Sequence, residues 1–266
     1  MSPKQFRKNT GCDFNFNTKY KKFKKNICNS PKGKLRFTLV EHHLEQTLPF
    51  LLKSSLKILD AGAGLGQFAL KFARMGHKVI INDIADVLLK DVKETCSREK
   101  LNHNTVFNRQ PLQQLLPGYR DKMDLVLLHA VLAWLHDPLA GLSSIAGCVK
   151  KNGYLSLLLY NKHALVIRNA LSGNFSKILN DRLKGTGKTF TPPAPVYPQT
   201  VEKVIKQNNF KIISVKGIRI FYDYLEKTPA NTGTSMADIT KVENRFGLEL
   251  PYIYMGRYVH YICKKI

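Results

Sequence analysis

The chain has 266 residues, 44% of them hydrophobic, which is enough apolar material for one large α/β domain or two small ones. No apolar run is long enough to cross a bilayer, the N-terminus lacks a signal-peptide pattern, and the five cysteines include no Cys-x-x-Cys pair, so we expect a cytoplasmic protein with free thiols and no metal site. The formal net charge of +23 favours a polyanionic partner such as nucleic acid, although a lysine-rich composition can also reflect coding bias.

Basic residues dominate positions 1–36, where Asp13 is the only acid. We expect residues 1–15 to form a disordered basic tail. Four apolar residues then recur at helical spacing, namely Phe16, Tyr20, Phe23 and Ile27. We expect this apolar face to pack on the domain, and the alternative is that its aromatic rings stack on bases of single-stranded RNA. A second helix is predicted from Pro31, which completes an N-terminal helical segment over residues 16–55.

The run from Lys57 to Gln67 is a strand that breaks into a glycine turn and opens a helix. After the buried strand, an acid and three glycines alternate at Asp60, Gly62, Gly64 and Gly66. Glycines let the backbone approach a ligand closely, and a helix start offers free N–H groups, so this turn suits a nucleotide-like ligand. The D-x-G-x-G-x-G spacing resembles motif I of the class I S-adenosylmethionine-dependent methyltransferases. A dinucleotide oxidoreductase turn or an ordinary βα loop is the alternative.

Strands and helices then alternate with short connections, which predicts a doubly wound α/β sheet. Strands are predicted over residues 78–83, 105–108, 123–129, 154–160, 210–221 and 252–262, the last two pairing as a long hairpin. Asp83 ends the second strand about twenty residues past the glycine turn, where an acid can accept ribose hydroxyls but is also a common helix N-cap. His129 lies at the carboxyl end of the fourth strand, on the ligand-binding edge of such sheets.

A polar, proline-rich loop is predicted over residues 184–198, after helical residues 161–180 that break at Gly173. No internal repeat interrupts the chain. We therefore expect residues 16–266 to form a single Rossmann-like methyltransferase domain. Its sheet would be mostly parallel with an antiparallel last strand, and the N-terminal helices would be an addition to it.

The residues after the fourth strand lack the usual methyl-transfer chemistry. Amino-methylating enzymes of nucleic acids often carry an [DNS]-P-P-[YF] run where this chain has His129–Leu132, and no cysteine stands there for pyrimidine C5 methylation. This combination suits an acceptor that is already anionic. A carboxylate, with a reference pKa of about 4, needs positioning and a neutralising partner rather than a base. Side chains that could donate hydrogen bonds to such a carboxylate are Arg36, Arg219, Arg257, Tyr160, Tyr222 and Tyr258. Each arginine could equally form a surface ion pair or contact a phosphate.

Several segments beyond the glycine turn carry a more specific resemblance. They are Lys32–Arg36, His129–Trp134, Tyr160-Asn161, Gly173–Phe175, Gly217–Tyr224, Pro251–Ile253 and Gly256–His260. Together they resemble the bacterial tRNA 5-carboxymethoxyuridine methyltransferase family, over nearly the whole chain. The resemblance implies transfer of the methyl group of S-adenosylmethionine to the carboxylate of 5-carboxymethoxyuridine at the wobble position of tRNA, giving a methyl ester.

The resemblance also implies site residues. Those predicted to bind the cofactor are Arg36, Asp60, Gly62, Ala63, Gly64, Asp83, Leu112, Gln113 and His129. Gln113 fits an Ala-Gln pair that the family often has beside the adenine, whereas Leu112 departs from it. The candidates for holding the substrate carboxylate are Arg219, Tyr222, Arg257 and Tyr258. A small-molecule methyltransferase with an incidental basic surface, or a non-catalytic RNA-binding module of the same fold, remains the alternative.

Overall fold

The computed structural model describes residues 13–25, 30–53, 55–185, 190–225 and 233–266. They form a seven-stranded sheet in the order β3-β2-β1-β4-β5-β7-β6. The strands are β1 (Lys57–Ala61), β2 (Lys78–Asn82), β3 (Thr105–Asn108), β4 (Met123–His129), β5 (Val149–Tyr160), β6 (Phe210–Ile218) and β7 (Tyr258–Lys265). Strands β1 to β5 pair in parallel, and β7 is antiparallel to both β5 and β6. The predicted Rossmann-like sheet with an antiparallel last strand is confirmed.

Helices cover both faces of this sheet. They are α1 (Tyr20–Phe23), α2 (Pro31–Thr47), α3 (Gln67–Arg74), α4 (Asp86–Arg98), α5 (Leu116–Tyr119), α6 (Pro138–Ala146), α7 (Lys162–Leu171), α8 (Phe175–Leu179), α9 (Pro198–Gln207), α10 (Met236–Phe246) and α11 (Tyr252–Met255). Helices α2, α3 and α4 belong to one apolar core, and α6 and α9 belong to the other. In the part of the chain just defined, no helix has the length and apolar character needed to cross a membrane.

The central strand β4 shows why its sequence is an unbroken apolar run. Leu125 and Leu127 pack into the core beneath α2 and α3, whereas Val126 and Leu128 pack into the core beneath α6 and α9. Successive side chains of a strand point to opposite faces, so a strand covered on both faces needs apolar residues at every position. Parallel pairing sets the carboxyl ends of β1, β4 and β5 side by side at one edge.

Several predicted strand boundaries are wrong, among them the end of β2 at Asn82 and the end of β7 at Lys265. Strand β5 begins at Val149 rather than Tyr154, and the register between β4 and β5 shifts between Met123 and Leu125 to admit the extra residues. Strand β6 ends at Ile218 rather than Phe221, because the next N–H groups donate to a side chain described below. The last strand begins only at Tyr258.

Residues Tyr252–Met255, predicted as strand, form helix α11 instead. The side-chain amide of Asn161 donates to the carbonyls of Tyr254 (2.7 Å) and Gly256 (2.9 Å), so this stretch is fastened to the end of β5 and cannot pair in the sheet. Helix α10 was not predicted at all, and it follows a polar stretch that lies partly outside the described residues. Most of the predicted tail and part of the proline-rich loop also lie outside them.

Candidate active site

A pocket opens at the carboxyl ends of β1, β2, β4 and β5, under residues 13–23, which we call the N-terminal segment from here on. The predicted cofactor-binding residues that line it are Arg36, Asp60, Gly62, Ala63, Gly64, Asp83, Leu112 and His129. Of the predicted carboxylate-binding residues, Tyr258 lines it, together with Tyr160. The pocket therefore runs from the glycine turn to Arg36 and to the tyrosines at the end of β5 and the start of β7.

The turn between β1 and α3 takes its shape from glycines in left-handed conformation. Gly62 has φ +73° and Gly64 has φ +59°, a region that residues with a Cβ rarely adopt. A Cβ at Gly62 would also lie 2.6 Å from Val131 Cγ2, so a side chain there would displace the loop after β4. The Gly64 N–H donates to Asp83 Oδ2 at 2.8 Å, which ties the turn to the end of β2.

Two buried carboxyl groups line the pocket beside this turn. Asp83 Oδ1 accepts a second hydrogen bond from the Ala85 N–H at 2.8 Å, and burial raises the pKa of Asp83. Burial and, to a smaller extent, the neighbouring carboxylate of Asp83 together raise the pKa of Asp60 to about 7. Buried carboxylates of this kind favour ligands that bring donors or positive charge, such as hydroxyl or ammonium groups.

Aromatic side chains of the N-terminal segment cover the pocket. The rings of Phe14 and Phe16 lie 5.1 and 4.9 Å from the ring of Trp134, centroid to centroid. Phe16 also contacts Phe23 at 5.0 Å, and both line the pocket. The predicted apolar face thus packs on the domain at Phe16 and Phe23, whereas Ile27 lies outside the described residues. These rings keep water from one side of the pocket.

The structure separates the predicted pair Leu112 and Gln113. Leu112 is buried and lines the pocket. The Gln113 side chain is exposed, and its Nε2 donates to Asp13 Oδ2 at 3.2 Å. Asp13 Oδ1 in turn accepts from the His136 N–H at 2.9 Å. Gln113 therefore helps to fasten the N-terminal segment over the pocket and does not form its wall.

His129 begins a chain of buried hydrogen bonds that runs away from the pocket. Its Nε2 lies 2.8 Å from Ser156 Oγ, which lies 2.8 Å from His260 Nε2. His260 Nδ1 then lies 2.8 Å from His43 Nδ1 on α2, and His43 Nε2 lies 2.7 Å from Ser214 Oγ. The chain connects β4, β5, β7, α2 and β6, and it leaves His129 Nδ1 buried without a partner.

These three histidines are neutral at physiological pH. Burial and the positive charge of Arg36 lower the pKa of His129 to about 3. Burial, with Lys216 nearby, lowers the pKa of His43 to about 3, and burial lowers that of His260 well below its ordinary value. A neutral imidazole carries one N–H, so the facing Nδ1 atoms of His43 and His260 must be one donor and one acceptor. The hydrogen bonds all point the same way along the chain when Ser156 accepts from one histidine and donates to the other.

Arginines and tyrosines gather at the other end of the pocket. The guanidinium carbons of Arg36 and Arg219 each lie 5.8 Å from the Tyr258 ring centroid. Arg257 lies 4.8 Å from the Tyr160 ring, which meets the Tyr258 ring edge to face at 5.5 Å. We call Arg36, Tyr160, Arg219, Tyr222, Asp223, Arg257 and Tyr258 the arginine–tyrosine cluster. Its predicted members Arg219, Tyr222 and Arg257 stand behind the two tyrosines and do not line the pocket.

The arginine–tyrosine cluster carries an excess of positive charge. Its three arginines face one carboxylate, that of Asp223, which pairs with Arg219. Burial would raise the pKa of the Tyr258 phenol, but the guanidinium groups of Arg36, Arg219 and Arg257 lower it. The buried Tyr160 hydroxyl has no hydrogen-bond partner, although Tyr160 is only 5% exposed. A buried donor without a partner beside uncompensated positive charge suits an anionic ligand group.

Glu243 was missed by sequence reasoning. Its carboxylate on α10 is fully buried and accepts from the N–H groups of Ile220 (2.7 Å), Phe221 (2.9 Å) and Tyr222 (3.0 Å). These donors belong to the segment that carries Arg219 and Tyr222 into the cluster. No local pattern singles out this acid among the surface charges of α10; only the tertiary packing that buries it does.

Two non-glycine residues with left-handed backbone flank the pocket. They are Ala130 (φ +59°), which follows β4, and Arg219 (φ +57°), which follows β6. Five other non-glycine residues of the described chain share this conformation away from the pocket, so it does not by itself mark the site. The part of the chain that the structure describes contains no group of three or more histidine, cysteine, aspartate or glutamate residues placed to hold a metal ion.

Comparisons with known proteins agree with this geometry. Residues 59–157 match the family described as a methyltransferase domain. The chain is 32% identical over 253 residues to the tRNA 5-carboxymethoxyuridine methyltransferase of Escherichia coli (strain K12), covering 95% of this chain and 97% of that protein. Magnesium protoporphyrin IX methyltransferase from Synechocystis PCC 6803 with bound SAH is similar in structure, with a TM-score of 0.63, 16% identity and coverage of 94% and 96%. A SAM dependent methyltransferase from Archaeoglobus fulgidus is also similar in structure, with a TM-score of 0.58 and 19% identity, and the similarity covers 93% of this chain and 100% of that one. The two structural similarities establish the fold.

Proposed function

Because this chain belongs to the tRNA 5-carboxymethoxyuridine methyltransferase family, we propose that it transfers the methyl group of S-adenosylmethionine to the carboxylate of 5-carboxymethoxyuridine in tRNA. The product is a methyl ester of the nucleoside at the wobble position. One observation carries the proposal: a single pocket extends from the glycine turn to the positively charged arginine–tyrosine cluster. A methyl donor at one end and an anionic acceptor at the other can therefore meet inside it. A tRNA substrate also supports the expectation of a cytoplasmic protein.

The residues present fit S-adenosylmethionine, which supplies a methyl group on positively charged sulfur. Asp83 would accept hydroxyl donors, Asp60 would face positive charge, and Leu112 supplies an apolar wall for a flat ring. His129 Nδ1 is buried and unpartnered, so it offers one further hydrogen bond to a ligand. The left-handed turn at Gly62 and Gly64 lets backbone come close to that ligand.

The acceptor needs no general base, because a carboxylate is already ionised at neutral pH. The residues of the chain have three other tasks: to hold the carboxylate, to offset its charge and to exclude water. Arg36, Tyr160 and Tyr258 line the pocket where the carboxylate would lie. Arg219 and Arg257 act through the two tyrosines, since their positive charge favours anionic oxygen on that side.

The neutral histidines fit the same reaction. A protonated His129 would add positive charge next to a cationic methyl donor and repel it. Burial, together with Arg36, lowers the pKa of His129 to about 3, so the imidazole is uncharged across the physiological pH range. Since methyl transfer to a carboxylate releases no proton at the acceptor, the histidine chain serves to orient His129 and not to carry protons.

The test is labelled methyl transfer from S-adenosylmethionine by the purified protein. We expect label in tRNA that contains 5-carboxymethoxyuridine and none in the same tRNA with plain uridine at that position. Label appearing in a pool of small metabolites but not in tRNA would support a small-molecule methyltransferase instead. Binding of tRNA with no affinity for S-adenosylmethionine would indicate a non-catalytic RNA-binding module.

A further inference from the structure

The segment that connects β5 to α9 starts beside the pocket. Strand β5 ends at Tyr160, which lines the pocket, and the next residue, Asn161, pairs with Val196 in an isolated bridge. The Lys162 N–H donates to the Val196 carbonyl at 3.2 Å. Residues 162–195 thus leave the sheet and return to it at the carboxyl end of β5. Phe190, which lies within this range, lines the pocket. Helices α7 and α8 are the helical part of this segment.

We call residues 162–184, which hold α7, α8 and the residues after them, the α7–α8 hairpin, and it exposes large apolar side chains. Leu171 at the end of α7 is 70% exposed, and Phe175 and Leu179 on α8 are 60% and 86% exposed. Phe175 and Leu179 are four residues apart, so they share one face of α8. The turn that brings α8 against α7 is set by Gly173 (φ +67°). Large apolar side chains exposed together on one surface indicate a contact surface rather than a packing element.

The same hairpin is basic. Arg168, Lys177, Arg182 and Lys184 are all exposed. Asp181 is the only acid of residues 161–198, and it pairs with Lys162 at 2.9 Å. The exposed apolar face is therefore bordered by cations that the nearby sequence does not neutralise, which fits a partner with negative charge and flat apolar groups. Single-stranded RNA has this chemistry, because its phosphates attract lysine and arginine while its bases stack on aromatic rings.

We propose that this face of the α7–α8 hairpin holds the nucleotides that flank the methylated uridine, by stacking on Phe175 and by phosphate contacts with Lys177 and Arg182. The inference rests on the proposed function and specifies its RNA-binding surface. A uridine inserted in the pocket leaves its own phosphates and its neighbouring bases at the rim. Helix α7 begins two residues after Tyr160, which belongs to the arginine–tyrosine cluster and lines the pocket, so the start of the hairpin lies at that rim.

The test compares surface variants with matched controls on the opposite edge of the sheet. Lys177→Glu/Arg182→Glu reverses two charges on the hairpin, and Lys53→Glu/Lys151→Glu reverses two exposed charges near the amino ends of β1 and β5. Phe175→Ala removes the exposed ring, and Leu52→Ala removes a side chain that is 61% exposed far from the pocket. The measurement is the fluorescence anisotropy of a labelled anticodon stem-loop that contains 5-carboxymethoxyuridine, over a range of salt concentrations.

We expect the hairpin charge variant to bind the stem-loop at least about tenfold more weakly and with a slope against salt smaller by about 1.4, the value for two contacts to single-stranded RNA. Phe175→Ala should weaken binding by about fivefold or more, the range for loss of one stacked base. Both control variants should bind as the unaltered protein does. All variants should keep the melting temperature and the S-adenosylmethionine affinity of the parent protein.

Equal losses in the hairpin and control variants would overturn the proposed surface, because general charge would then account for binding. Hairpin variants that keep RNA affinity but lose binding to anionic lipid vesicles would also overturn it. If the unaltered protein methylates tRNA in either case, the proposed function stands and only the surface is wrong. If the unaltered protein neither binds nor methylates tRNA, the proposed function itself fails.

Discussion

At the scale of single residues, the pocket separates two kinds of charge. Buried carboxyl groups of Asp60 and Asp83 lie at the glycine turn, and guanidinium groups lie behind Tyr160 and Tyr258 at the other end. Neutral His129 stands between them. A cationic cofactor and an anionic acceptor would each face charge of opposite sign. The position of Asp83 could be predicted from its spacing after the glycine turn, whereas the raised pKa of Asp60 depends on burial that the sequence does not reveal.

The pKa of Asp60 predicts how cofactor affinity depends on pH. In the free protein this carboxyl has a pKa of about 7, so it is protonated and uncharged below that pH. Binding of a cation favours the ionised form, and affinity for S-adenosylmethionine should therefore fall several-fold from about pH 8 to about pH 6. Calorimetric titration across this range is the measurement. Asp60→Asn should bind more weakly and show little of this dependence, and an equally steep profile in that variant would remove Asp60 from the cofactor site.

Arg257 is expected to act on the acceptor rather than on the cofactor. Arg257→Ala should lower kcat/KM for tRNA by about tenfold or more, since a charge-assisted interaction contributes about 1.5–3 kcal/mol. The dissociation constant for S-adenosylmethionine should stay within about twofold, because Arg257 stands away from the glycine turn. Arg120→Ala, at an exposed position before β4, is the control. An unchanged kcat/KM for tRNA in the Arg257 variant would contradict this role.

At the scale of elements, two helices outside the alternating strand–helix repeat bring the arginine–tyrosine cluster together. Helix α2 carries Arg36 and is joined to the sheet through His43 and His260. Helix α10 carries Glu243, which holds the backbone after β6. The start of α2 could be predicted because Pro31 follows an N-cap serine, Ser30, whose side chain accepts from Gly33. Helix α10 also starts at an N-cap serine, Ser235, whose side chain accepts from the Asp238 N–H, but no sequence pattern shows that Glu243 is buried rather than at the surface.

Glu243 is expected to position the acceptor-binding segment. Glu243→Gln keeps the shape but replaces one accepting oxygen with an NH₂ group, which leaves the Ile220 N–H without a partner at a cost of about 1–3 kcal/mol. We expect a raised KM for tRNA and unchanged affinity for S-adenosylmethionine. Glu249→Gln, at an exposed position after α10, is the matched control. Equal loss of cofactor and tRNA binding in the Glu243 variant would show a general structural role instead.

At the scale of the whole molecule, the sheet fixes which groups can meet. Parallel strands β1, β2, β4 and β5 end at one edge, so the glycine turn, Asp83, His129 and Tyr160 converge although they are far apart in sequence. Strand β7 is antiparallel, so its first residue, Tyr258, lies at the same edge, opposite Tyr160. This convergence could be predicted from the alternation of strands and helices. The cover of the pocket by the N-terminal segment could not, because an apolar stripe does not specify the surface on which it packs.

The central claim is that one pocket joins the methyl donor to a carboxylate on tRNA. The most direct test is mass spectrometry of nucleosides from 5-carboxymethoxyuridine-containing tRNA after incubation with the protein and methyl-labelled S-adenosylmethionine. We predict that the label resides in the methyl ester of 5-carboxymethoxyuridine and that mild alkali restores the free acid. Label at a base or ribose position that survives alkali, with the carboxylate unchanged, would contradict the account.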